Sequence, residues 1–184
     1  MGIDAMEPAT REVPDHYRAA TRTLLRYAVA MTLVALVSGV LFQESSKKLD
    51  YAEAAPGLRL EAVVSLALVH GHVFVTGVLI PIAMAGALFL GLRAGGAALS
   101  SRPLTWLTRG YLPLVAVTML LMLYKGYHVL LSVRHGVLDL DRVDASYFGG
   151  LTWLRHGVYG FAHVGMALSL GVFVIALWRS LRRV

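Results

Sequence analysis

The chain is written in long apolar runs separated by short polar stretches. From about Asp15 the pattern turns helical, and a first apolar run extends from roughly Leu24 to Phe42 before Gln43, Glu44, Ser45, Ser46, Lys47 and Lys48 end it. A second runs from about Glu61 to Leu92, closed by Gly91, Gly95 and Gly96; longer than one crossing needs, it should tilt, protrude, or kink at Pro81, where proline lacks the backbone donor. A third begins near Pro103 to Arg109 and reaches about Val133, with Pro113 early in it, and a fourth covers about Thr152 to Leu181. A hydrocarbon layer about 30 Å thick is crossed by roughly 20 apolar helical residues, so each run is long enough to span it. The expected fold is therefore all-α, an integral membrane four-helix bundle. Residues 1–22 form a polar N-terminal segment and 23–184 a transmembrane domain, with spans at about 24–42, 61–92, 104–133 and 152–181. The longer connections, 43–60 and 134–151, fall on one side, and Asp139, Asp141, Arg142 and Asp144 mark the second as a solvated loop.

Composition agrees with that pattern: 57% of the 184 residues are hydrophobic and 15% are charged, against about 25% charged in a soluble domain. A large extramembrane enzyme domain is excluded, and no cleavable signal pattern precedes the first run. The formal +6 charge sits at the ends of the spans and does not imply nucleic acid as a partner. Ten basic residues (Arg11, Arg18, Arg22, Arg26, Arg93, Arg102, Arg109, Arg179, Arg182 and Arg183) flank one side. The other side mixes Lys47, Lys48, Arg59, Arg134, Arg142 and Arg155 with seven acidic residues. The excess of positive charge on the inside places both termini in the cytoplasm of a multi-pass protein of the cell inner (plasma) membrane, whose first partner is the lipid bilayer. With no cysteine, disulfides, thiolate metal sites and covalent haem attachment are all excluded.

Histidines carry the candidate chemistry. His70 and His72 lie nine and eleven residues inside Glu61, and His163 lies eleven inside Thr152, roughly 14 to 17 Å deep at 1.5 Å per residue. His128 is shallower, and Lys125 falls between the two levels. His156, Gly160, His163 and Ala167 share a stripe on the fourth helix, bordered by Tyr159, while Thr118, Lys125, His128, Ser132 and His135 form a polar stripe on the third. His70 and His72 point about 200° apart on a regular helix. One is then a ligand and the other a neighbour; His72 travels with Ser65 and Thr76, His70 with Ala67, Phe74 and Gly77. A lone membrane histidine is adequately explained by a hydrogen bond to the next helix, worth about 1 kcal/mol. Four on three helices, beside a lysine, each carry an insertion cost and point to a shared cofactor or metal site.

Two neutral imidazoles at matched depth on separate helices suit a b-type haem, with His163 and His72 or His70 as the axial pair. Lys125, Arg134, Arg155 and His156 are placed to meet the propionates. Copper is the alternative, with His128 then a ligand; Met119, Met122 and Met166 read as core packing unless they ligate Cu(I).

The segments GVLFQE, LVHGHVFVTG, KGYHVLL and GVYGFAHVGMALSLGVF resemble a family of small bacterial four-helix, histidine-containing membrane proteins. Its most specific elements are matched by His70 and His72, by Lys125 with Gly126, and by His163. The resemblance implies the fold and a shared site but brings no assigned activity. The function expected is a b-type cytochrome-like oxidoreductase in the outer half of the bilayer, exchanging electrons with quinone or a respiratory-chain protein, or reacting with a small oxygen or nitrogen species. Against it stand a cofactor-free accessory or assembly subunit of a respiratory complex, and a metal or proton conduit. Under the accessory-subunit reading the small-residue stripes pack on a larger partner; a homo-oligomer is a further possible assembly.

Overall fold

The computed structural model describes residues 13–47 and 56–182, and every element in them is helical. Helix α1 covers Asp15–Lys47. Helix α2 is one rod built from Pro56–His72, a π-helical turn at Val73–Leu79 and Ile80–Arg93. Helix α3 repeats the plan with Ser101–Thr105, a π turn at Trp106–Tyr111 and Leu112–Arg134. A short α4, Leu140–Ser146, and a 3₁₀ turn at Tyr147–Gly150 lead into α5, Thr152–Leu181. The stretches Asp15–Lys47, Leu60–Arg93, Ser101–Arg134 and Thr152–Leu181 are long and apolar enough to cross a membrane. Below, the outer end is the one carrying α4, and the inner end the one carrying Asp15 and Leu181.

Before Pro81 the helix widens by a π turn. Proline at position i has no donor and its ring crowds the carbonyl at i−4. Both π turns end just before a proline, Pro81 and Pro113, and the N–H groups of Ile80 and Leu112 reach back five residues to the carbonyls of Val75 and Leu107. The Thr76 carbonyl, which under this i→i+5 pattern would have bonded the nitrogen of Pro81, instead accepts the Tyr111 hydroxyl at 2.9 Å. Thus the lost helix bond is replaced by one that ties α2 to α3.

The four long helices run alternately up and down. Helix α1 packs along α2, the outer half of α2 on α3, and α3 along α5. Glycines bring the backbones close: a Cβ on Gly126 of α3 would come within 2.6 Å of Leu66, one on Gly77 of α2 within 2.9 Å of Met31, and one on Gly165 of α5 within 2.7 Å of Leu114. The main core gathers Leu24, Val69, Val73, Leu88, Leu107, Val115 and Phe173, and a second cluster at the outer end holds Ala62, Leu66, Leu130 and Val133. Leu33, Leu36, Leu120, Phe161 and Leu168 point outward, each more than half exposed. The charged region 139–144, expected as a loop, is helix instead: Asp139 caps α4 by accepting from the N–H groups of Asp141 and Arg142.

Candidate functional site: an outer groove between α2 and α5

Helices α2 and α5 meet at the inner end, where Gly91 takes Leu177 against its backbone. Farther out both rest on α3, and the space between them is a groove whose floor is α3. Contacts decide which side chains face it. On α2, Leu66, Val69 and Val73 are buried along the face that meets Gly126, and His70 and Gly77 turn to α1. Ser65, His72 and Thr76 occupy the flank turned toward α5, the flank on which Gly91 lies once the extra residue of the π turn is counted. On α5, Gly165 and Ser169 face Leu114 and Gly110 of α3, and His163, Met166 and Leu170 share the flank of Leu177, toward α2. The arc of α3 between the two flanks carries Thr118, Met122 and Lys125.

The two groove histidines lie at neighbouring depths. Counted from the Gly126–Leu66 and Gly165–Leu114 contacts, His72 is level with about residue 120 of α3 and His163 with about residue 116, roughly one helical turn apart. Between those levels sits Thr118, 2% exposed, with a hydroxyl that has no hydrogen-bond partner. Such an orphaned group costs about 1–3 kcal/mol in a buried site.

Hydrogen bonding sets the tautomer of each ring. His72 Nδ1 is 2.8 Å from the Leu68 carbonyl and His163 Nδ1 is 2.9 Å from the Tyr159 carbonyl, one turn back in each helix. A carbonyl only accepts, so each Nδ1 carries the proton and each Nε2 presents a lone pair. Both side chains are exposed, and neither Nε2 has a partner among the described residues. This is the arrangement in which histidine ligates a metal, one nitrogen held by a carbonyl and the other free.

The remaining candidates diverge. His70 Nδ1 meets the Ala35 carbonyl of α1 at 2.8 Å, and its ring lies against Gly39, so it packs the α1–α2 seam. His128 turns its Nε2 to the Val143 carbonyl at 3.0 Å and to the Ser146 hydroxyl at 3.2 Å, and so holds α4 down. The single polar stripe expected on α3 therefore splits, Thr118 buried within the bundle and His128 facing α4. His156, Arg134 and His135 are exposed at the outer end. Among the described residues no three of His, Asp and Glu converge as a metal-sized group. His70 and His128 thus turn to α1 and α4, each bonding a carbonyl there.

The outer mouth of the groove is ionic. Asp144 of α4 receives Arg155 of α5 at 2.5 Å and lies 3.9 Å from Lys125 of α3. The Arg155 hydrogen bond holds the Asp144 carboxyl below its usual range against the opposing cost of burial, and the charges of Arg155, Lys125 and His128 add to it. Beneath this cluster the Tyr147 and Tyr159 hydroxyls meet at 2.8 Å, and both reach the Leu121 carbonyl. Burial pushes the Tyr147 phenol up, so it stays protonated. Lys125 and Arg155, expected to await a ligand's carboxylates, thus already share one of the chain's own. The sequence marks Asp144 only as one charge of a solvated connection, because a carboxylate among other charges there has no periodicity to single it out.

No protein-family model matches this chain, no curated protein matches it, and no solved structure matches its fold. The resemblance to small four-helix membrane proteins rests on its sequence motifs alone.

Proposed function

We propose that the protein crosses the inner (plasma) membrane four times with both termini in the cytoplasm, and that it holds a b-type haem in the outer groove between His72 and His163. The reading rests above all on one observation: two histidines on the outer halves of different helices each have Nδ1 committed to a carbonyl and Nε2 free, and helix phase turns both toward the groove about one turn apart in depth. Apolar side chains directed outward along all four helices support the membrane setting.

The chain's own contribution is positional. The Leu68 and Tyr159 carbonyls fix the tautomers and aim the two lone pairs, and Met122, Met166 and Leu170 supply an apolar lining. Lys125 and Arg155 set the positive end of the site at the outer surface. Bound haem would supply a one-electron carrier confined to the outer leaflet, suited to an oxidoreductase working with quinone, a respiratory-chain protein or a small oxygen or nitrogen species.

The test is the ultraviolet-visible spectrum of detergent-purified protein, oxidised and dithionite-reduced, with metal analysis of the same sample. The expected result is a Soret band with sharp α and β bands on reduction and about one iron per chain. A protein that stays colourless and metal-free after haem supplementation overturns the reading.

A further inference from the structure

The ion cluster at the groove mouth has an unusual make-up. Two cations arrive from two different long helices, Lys125 of α3 and Arg155 of α5, and converge on a single carboxylate carried by the short α4. One positive charge is left over, and His128 bonds the carbonyl of Val143, the residue before the acid. All three members remain partly open to solvent, with side-chain exposures of 39% for Lys125, 24% for Arg155 and 47% for Asp144. The α4 helix does not depend on this contact. Val143 is buried, the N-terminus is capped by Asp139, and His128 bonds the Val143 carbonyl.

We propose that Asp144 is an internal stand-in for the carboxylate of an amphiphilic anion lying in the groove, and that it sets how tightly the protein binds such ligands by competing for Lys125 and Arg155. The proposal rests on the haem reading for the identity of the apolar body. The two cations flank the mouth above His72 and His163, so a ligand whose flat body fills the groove brings its acidic groups to the position Asp144 occupies. A guanidinium presents a fork of donors to one carboxylate, and a second carboxylate must share or displace the first. Asp144 thereby keeps two otherwise unpaired cations satisfied while the groove is empty, and selects for ligands whose charge repays its displacement.

Binding of haemin and of haemin dimethyl ester, which lacks the propionate charges, to wild type, Asp144→Asn and Arg155→Gln tests the idea in one experiment. Affinity is read from Soret titrations in the same detergent. Removing the competing carboxylate is expected to tighten haemin binding about two- to fivefold, the range of a partly exposed ion pair, and to leave the ester unchanged. Arg155→Gln is expected to weaken haemin and leave the ester unchanged. If both ligands bind but their affinity ratio is the same in all three proteins, the role given to Asp144 is overturned while the haem site stands. If neither ligand binds wild type, both readings fall together. Far-ultraviolet circular dichroism on each variant identifies misfolding, and Asp144→Glu, which restores the charge, is expected to return the wild-type ratio.

Discussion

His72 and His163 are oriented by the same local device, a ring N–H given to the carbonyl one turn back in the helix. The device needs no neighbouring helix, so both rings hold their tautomer without one. It also separates these residues from His70, which looks equivalent in the sequence but spends its Nδ1 on α1. Under the haem reading, His72→Ala and His163→Ala each abolish or strongly reduce haem retention, while His70→Ala keeps a wild-type Soret spectrum and lowers only the thermal midpoint. Loss of the spectrum in His70→Ala alone would exchange the roles. Thr118 gives a second residue-level expectation. Replacing its orphaned hydroxyl by the isosteric methyl of valine removes an unsatisfied group, so Thr118→Val should stabilise the ligand-free protein by about 1 kcal/mol or more. A lowered melting temperature would mean that the hydroxyl has a partner.

The helices themselves are legible in the apolar runs, because a stretch of 30 or so residues from Leu60 to Arg93 or from Thr152 to Leu181 admits little else. Phase is what periodicity does not give. Whether His70 or His72 faces a ligand depends on which neighbour lies on which side of α2, and on the residue inserted by the π turn, facts that belong to the packing. Nor does a run of Asp139, Asp141, Arg142 and Asp144 announce a helix, since its stability comes from the cap and from Val143 beneath it. The α4 lid also carries the clearest dependence on pH. The Asp144 carboxyl is held low, chiefly by the Arg155 hydrogen bond. Its contribution is therefore complete above the ordinary carboxyl value of about 3.9 and is lost as pH falls through the lower folded value. The half-exposed pair is worth about 1 kcal/mol or less after screening. Wild type is expected to melt slightly above Asp144→Asn at neutral pH, with the difference closing below about pH 4; a gap that persists in acid would assign it to another cause.

Four long helices in alternation return the chain to the side on which it starts, so Asp15 and Leu181 share the inner end. The basic flanks predict that reporters fused at either terminus of the whole protein read cytoplasmic, and that a tag inserted at Gly136 reads external. A terminal reporter on the external side would invert the assignment of the groove to the outer leaflet. The bundle is also asymmetric along its axis. Helices α2 and α5 are joined at Gly91 and Leu177 and part toward α4, where the ion cluster and the aromatic group of Tyr124, Tyr147 and Phe148 roof the seam between α3 and α5. Under the haem reading, a cleft closed at Gly91 and Leu177 and parting toward α4 would admit a ligand sideways. In a bilayer the acyl chains would then serve as the antechamber: an oily planar molecule dissolved in the leaflet would arrive by two-dimensional diffusion. The rate of loading would follow its partition into lipid rather than its concentration in water.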